Sequence, residues 1–297
     1  MMKDSFSAFH PFVNFLYFVV VLLFSMVFMH PIFQVIALIS AVAYSIMLKG
    51  KKGIRFNLLY MIPFLLFMAV MNPVFNHQGV TILFYLNNGN PITKESILYG
   101  VAAACMFVTV IIWFSCYNVV MTSDKFIYIF GKILPALSLI FSMVLRFVPR
   151  YLAQIKVISN AQKCIGRDVS QGNLLARARN GITILSIMTT WALENAIETA
   201  DSMRSRGYGL PGRTSFSIFR LDARDKVALL IMTGLIALVA VGAVMGENTM
   251  RFYPSIKASA ITPFSILIYI AYFALCMIPV LINMVEAMKW KSIESKN

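Results

Sequence analysis

Two short runs in the middle of the chain carry residue types suited to recognition chemistry: Cys164-Ile165-Gly166 and Ser205-Arg206-Gly207. Each closes a helical pattern with a small residue, one further residue and a glycine, and Lys163 and Arg167 flank the first. An arginine in the last turn of a helix is stabilised by the unsatisfied carbonyls there. Its guanidinium can also reach into an acidic partner surface, where a charge-assisted hydrogen bond contributes roughly 1.5–3 kcal/mol. The glycine lets the helix stop abruptly and lets a partner backbone come close. Two readings of Arg206 stay open on the residues alone: docking on a partner, or a solvated or lipid-phosphate-binding side chain.

Catalytic and metal constellations do not emerge. His10, His30 and His77 are far apart, and the first two precede prolines at predicted membrane boundaries, where a turn or interface role is expected. Cys105, Cys116, Cys164 and Cys276 show no C-x-x-C spacing, and three of them fall inside apolar runs, where cysteine acts as a small hydrophobe. The run from Gly207 to Gly212 matches G-x-G-x-x-G, but a helical pattern precedes it where a nucleotide fingerprint needs a strand. A helix stop followed by a turn is the expectation. The chain has no G-x-x-x-x-G-K-[ST] run, so it does not bind ATP through a P-loop. Neither a cofactor nor a metal is expected.

The elements that must position the two runs follow from composition. Of 297 residues, 59% are hydrophobic and only 13% charged, about half the charge of a soluble domain. Apolar runs long enough to cross hydrocarbon are Phe12–Met29, Ile32–Leu48, Ile97–Val120, Val227–Met245 and Pro263–Met288, with a shorter one, Leu58–Met71, interrupted by Pro63. These six spans make an all-α polytopic membrane protein. The main spans contain no Asp, Glu, Lys or Arg except Glu286, which argues against an autonomous ion-coupled carrier.

The net charge of +14 is not spread evenly. Fifteen of 26 basic residues lie between Met121 and Lys226 against seven acids, so that stretch alone carries +8. Loops rich in Lys and Arg stay cytoplasmic, which puts both termini inside and the loop 72–96 outside. The runs Ile133–Val148 and Gly181–Leu193 are apolar, yet crossing there would send the basic segment between them outward, so neither is read as a span. The chain thus divides into N-terminal membrane helices (1–120), an inner-leaflet and cytoplasmic region (121–226), and C-terminal membrane helices with a tail (227–297). In the outer loop, a β-branched and aromatic run followed by Asn88-Gly89 predicts a short hairpin.

Within the cytoplasmic region two helical patterns run from about Arg150 to Gly166 and from about Trp191 to Gly207. Ala153, Val157 and Ala161 recur every four residues on the first, and Ala192, Ala196 and Ala200 on the second. Small residues at that spacing let helix backbones approach closely, so these rows are expected to pack the two helices together.

The segments LRFVPRYLAQIKVISNAQKCIGRD, ENAIETADSMRSRGYG and GRTSFSIFRLDARDKVALL resemble the transmembrane T component of energy-coupling factor (ECF) transporters, the EcfT/CbiQ family. The likeness extends from FHPFVNFLYF near the N-terminus to the last span. It implies a membrane scaffold without catalytic activity, whose two coupling helices end in Ala-Arg-Gly-like motifs. These dock on two ATP-binding-cassette ATPases, while a small membrane S component captures a vitamin or metal ion. By position, Ser205-Arg206-Gly207 is one motif. Cys164-Ile165-Gly166 is the other, with Ile165 in the arginine position. Lys163 or Arg167 would then supply charge, or that end docks by apolar contact. The setting implied is a prokaryotic cell membrane, with the lipid bilayer as partner and no nucleic acid. The alternatives on composition are a stand-alone carrier or channel and a lipid-acting membrane enzyme.

Overall fold

In the computed structural model, residues 4–85, 89–131, 133–211, 219–258 and 262–294 are described. A short 3-10 turn (Phe6–Ala8) leads into α1 (Pro11–Val27), α2 (Pro31–Lys49), α3 (Lys51–Phe56), a π-turn (Asn57–Met61) and α4 (Ile62–Phe75). Strands β1 (Ile82–Tyr85) and β2 (Pro91–Thr93) precede α5 (Lys94–Val120), α6 (Ser123–Gly131), α7 (Pro135–Cys164) and α8 (Leu174–Ser205). The chain closes with α9 (Ala223–Val244), strands β3 (Met250–Arg251) and β4 (Lys257–Ala258), and α10 (Pro263–Glu294). Two compact units result: residues 1–126 with 219–297, and residues 127–218.

In the first unit the helix starts are written into the sequence. His10 and His30 each sit before a proline at the first helical position, where the missing N–H is no loss. Their Nδ1 atoms accept from the backbone N–H of Phe12 at 3.2 Å and of Ile32 at 3.4 Å. Both are caps. At the start of α9 the backbone N–H of Asp222 donates to the Asp225 carboxylate at 3.1 Å, and the same carboxylate accepts from the His10 N–H at 3.2 Å.

One expected span is corrected. The short span expected at Leu58–Met71 is part of a longer one: α3, the π-turn and α4 form one helical run, Lys51–Phe75, of 25 residues. The π-turn immediately precedes Pro63, and a wider turn of this kind accommodates the N–H that proline lacks. The run therefore absorbs most of the basic inner loop, with Lys51, Lys52 and Arg55 on its first turns.

The core of this unit is aromatic. Phe6, Tyr17, Phe18, Tyr44 and Trp113 are all fully buried, and the Phe6 and Tyr17 rings meet edge to face at 5.2 Å. Phe6 belongs to the N-terminal turn, so the segment before α1 plugs the bundle. Asn283 of α10 fastens it: its Oδ1 accepts from the Ser5 N–H at 2.8 Å and its Nδ2 donates to Asp4 at 2.5 Å. The buried Lys125 ammonium donates to the carbonyls of Ser7 (2.5 Å) and Val120 (3.0 Å). Burial pulls the pKa of Lys125 down, opposed by the nearby Asp4. The outer hairpin forms as expected, β1 antiparallel to β2 with Ile82 opposite Thr93 and Tyr85 opposite Pro91. Asn88 of the predicted turn lies outside the described residues, and Gly89 has φ +78°.

The second unit is dominated by α7 and α8. Both begin far upstream of the expected starts, at Pro135 rather than Arg150 and at Leu174 rather than Trp191. The apolar stretches that precede the polar ones continue without a helix break. Pro149, inside α7, removes one N–H from the ladder, and Asn173 caps α8 by accepting from the Leu174 N–H at 2.8 Å.

Where α4 meets α5, Gly100 lies against backbone. A Cβ there would stand 2.8 Å from the Ala69 carbonyl oxygen and 2.9 Å from Asn72 Cβ. Gly100→Ala is expected to lower stability by about 1–3 kcal/mol through overpacking, whereas Gly234→Ala, with open space around it, is expected to cause no loss. Thermal unfolding of both variants in the same detergent checks this.

Candidate docking site

The α7–α8 pair is an antiparallel hairpin, and its register can be read along its length. The Asp168 carbonyl in the connecting loop accepts from Asn180 Nδ2 at 3.0 Å. Ile158 is buried with Ile184 and Met188. The Tyr151 and Trp191 rings meet edge to face at 5.4 Å. Farther along, Leu139, Ser142 and Met143 of α7 share a groove with Met203 and Arg206 at the end of α8. The two runs singled out in the sequence therefore occupy opposite ends of one hairpin about 45 Å long, at 1.5 Å per residue over the 30 residues of α7.

Those two ends are built alike. At the first, the Gly166 N–H donates to the Lys163 carbonyl at 3.0 Å and the Arg167 N–H to the Gln162 carbonyl at 2.9 Å. At the second, the Gly207 N–H donates to the Arg204 carbonyl at 3.0 Å and the Tyr208 N–H to the Met203 carbonyl at 3.0 Å. This is the Schellman pattern, closed by a glycine in the left-handed region: φ is +78° at Gly166 and +80° at Gly207. Ile165 and Arg206 consequently hold the same structural position, one residue before the turning glycine. Cys164 and Ser205 end their helices, and Ile165, Arg206 and both flanking small residues are exposed.

The charges at the ends differ. Lys163 faces Asp168 at 3.4 Å. That carboxyl also accepts from the backbone N–H of Ser170 at 2.9 Å and from its hydroxyl at 2.7 Å. These bonds, more than the lysine, hold its pKa below the usual carboxylate range. Of the two candidates for charge at the first end, Lys163 is thus already compensated, and Arg167 has no ion pair among the described residues. Ile165 itself is 63% exposed, an apolar knob at the tip. At the second end Arg206 has no ion pair among the described residues and lies in a groove of about 550 Å³ with Arg146, Arg150 and Glu198.

The alanine rows do not do what their spacing suggested. Ala153, Val157 and Ala161 are exposed, as are Ala196 and Ala200, and Ala192 is partly so. The seam is made instead by larger residues, Ile158, Ile184 and Met188, with Tyr151 and Trp191 beside them. The sequence reading also missed Arg146 and Arg150, whose signal was a basic i, i+4 pair closing an apolar run.

The hairpin also bears on whether α7 crosses. Among the described residues six helices are long and apolar enough to span a membrane, α7 among them, whereas α1 is shorter at 17 residues. None of the apolar window of α7 is buried, and beside its first half runs the part of α8 holding Glu198 and Arg206. A spanning α7 would drag these charges into hydrocarbon, at roughly 2.5–3.5 kcal/mol or more each. The G-x-G-x-x-G run meets the same geometry: its first glycine ends α8, with no strand before it, and Gly212 lies outside the described residues.

The fold is that of a multi-pass helical membrane protein with a long hairpin whose two helices end in the same exposed turn. Residues 5–217 match the family described as Cobalt transport protein, CbiQ. The energy-coupling factor transporter transmembrane protein EcfT of Lactococcus lactis subsp. cremoris is 38% identical over 106 residues, 34% of this chain and 40% of that protein. EcfT 1 of Listeria monocytogenes is 29% identical over 214 residues, 66% of this chain and 79% of the relative. EcfT of Acidaminococcus fermentans is 31% identical over 160 residues, half of this chain and 60% of that protein. The chain belongs to the EcfT/CbiQ family of transmembrane T components. Its match spans about 40% of the length of the Lactococcus relative.

The seam yields a test of the register. Ile158→Asp would bury an unpaired carboxylate and is expected to open the hairpin, raising protease cleavage in the 166–173 loop severalfold. Val157→Asp, at a position 60% exposed, is expected to leave cleavage unchanged.

Proposed function

We propose that this chain is the energy-coupling scaffold of an ECF-type importer, transmitting ATPase movement to a substrate-binding S component. The observation that carries the reading is the pair of matched, outward-facing helix ends at opposite extremes of one rigid hairpin. A single docking event needs one such end. Two ends, each with its glycine-closed turn and exposed neighbouring side chain, suit two partners held simultaneously.

On this reading, one ATPase receives Arg206 in an acidic groove and the other receives Ile165 in an apolar pocket bordered by an acidic group for Arg167. When the ATPases close on ATP and part after hydrolysis, the ends of the hairpin shift relative to one another. Because the seam around Ile158, Ile184, Met188 and Trp191 couples the helices, the hairpin tilts as a body. The exposed rows Ala153–Val157–Ala161 and Ala192–Ala196–Ala200 then offer a close-packing surface for the S component at the inner membrane face. ATP hydrolysis belongs to the partners, and the chain has no catalytic site of its own. Both termini are cytoplasmic, in a prokaryotic cell membrane, as the inner excess of Lys and Arg supports. The substrate class, a vitamin or metal ion, is set by the S component.

Arg206→Glu is expected to abolish co-purification of an ATPase and ATP-driven uptake while membrane insertion remains intact. Normal uptake by that variant would overturn the assignment. The unlike ends predict unlike sensitivities: Ile165→Arg is expected to be tolerated better than Arg206→Ile in the same uptake assay. Equal and severe losses would show that Ile165 makes a contact no other residue can replace.

A further inference from the structure

The groove beside Arg206 holds more charge than a docking motif requires. Arg146 and Arg150, one turn apart on α7, line it together with Arg206, and the one acid in its lining is Glu198. No ion pair involves any of the three arginines among the described residues. Their placement is not random: the Arg146 guanidinium lies 5.4 Å from the Phe147 ring centre and that of Arg150 lies 5.5 Å from the Trp191 ring centre. Stacking of this kind holds a guanidinium in place while leaving its N–H edge free to donate.

The two walls of the groove are unlike. The α7 wall sets Leu139 and Met143 beside Ser142 and the two arginines, and outside the groove the same helix exposes Ile140, Phe141, Val144 and Val148. The α8 wall is polar, with Thr199 and Ser202 beside Glu198. Apolar side chains and two fixed cations on one helix, opposite polar side chains on the other, match the section of a phospholipid at the glycerol level: acyl chain along the exposed apolar residues of α7, phosphate on the arginines, headgroup hydroxyls toward α8. Trp191 and Tyr151 stand at the same level of the hairpin, as interfacial aromatics do. Basic pockets on the cytoplasmic side of membrane proteins take anionic lipids for this reason. A free phosphate would use the arginines alone and leave the apolar side chains of α7 in water, and an acidic protein segment would meet Glu198 and those apolar side chains on either side.

We propose that the groove between the first half of α7 and the end of α8 binds one anionic phospholipid, with Arg146 and Arg150 holding its phosphate. The lipid would seat the hairpin on the inner leaflet beside the second docking end, so the site rests on the T-component reading above.

The test is to purify the full chain with its co-purifying partners in mild detergent, after exposure to equimolar phosphatidylglycerol and phosphatidylcholine. Retained lipid is counted by native mass spectrometry and the ATPases by gel. The wild-type complex is expected to retain phosphatidylglycerol preferentially. Arg146→Gln/Arg150→Gln is expected to cut that preference by about tenfold, with the ATPases still present. Arg146→Lys/Arg150→Lys, which keeps the charge, is expected to restore much of it. An unchanged preference in the Gln variant overturns the proposal. So does displacement of the lipid by millimolar inorganic phosphate, which would make the ligand a free anion. Loss of the ATPases with unchanged lipid would overturn it too, by assigning the groove to an acidic protein surface. A wild-type preparation without any ATPase would count against the T-component reading itself; one with ATPases but no lipid preference would sink the lipid site alone.

Discussion

The rest of the second unit depends on one constraint: the polar half of α8 and the apolar half of α7 are packed side by side. Hydrocarbon would welcome the first half of α7, whose composition alone qualifies it as a span. The charges of Glu198 and Arg206 beside it would not follow, because each carries a desolvation cost that no partner in the hairpin offsets. Water would welcome the α8 face and reject Phe141, Val144 and Val148. The two faces of the hairpin thus suit different surroundings, and its two ends stay exposed.

The first unit follows a different rule. Its spans carry almost no charge, so its polar groups gather at the ends of the helices. His10 and His30 cap through ring nitrogens, Asp225 gathers the N–H groups of His10 and Asp222, and Asn283 clamps the N-terminal turn. Phe6 is thereby driven among Tyr17, Tyr44 and Trp113. The turn before α1 is thus a structural part of the bundle, and α10 is tied to the N-terminus by Asn283 across 278 residues of sequence separation.

Much of this was legible before any coordinates. The apolar runs named the membrane helices and the β-branched run gave the hairpin of β1 and β2, whereas His10 and His30, expected only at turns or interfaces, prove to be helix caps. What escaped was anything set by contacts between helices. The polar patterns from Arg150 and Trp191 mark only a change in composition within longer helices, into which the apolar stretches Ile133–Val148 and Gly181–Leu193 run on as helix, as expected. The alanine rows satisfied a close-packing rule, yet Ile158 and Met188 made the contact, because periodicity marks a face without saying which neighbour it meets. The span at Leu58–Met71 was shortened on account of Pro63, and a π-turn repaired the ladder around it. The ends of α7 and α8 were read best, since a terminal glycine acts locally. Their equivalence as Schellman turns needed the backbone.

The central claim is that one hairpin is held at its two ends by two different proteins. The direct measurement is site-specific photo-crosslinking in cells, with a photoreactive amino acid placed at position 165 in one strain and at position 206 in another. The account predicts crosslinks to an ATPase subunit from both positions, and to a different subunit, or a different copy, from each. Crosslinks from both positions to lipid or to this chain alone would contradict it.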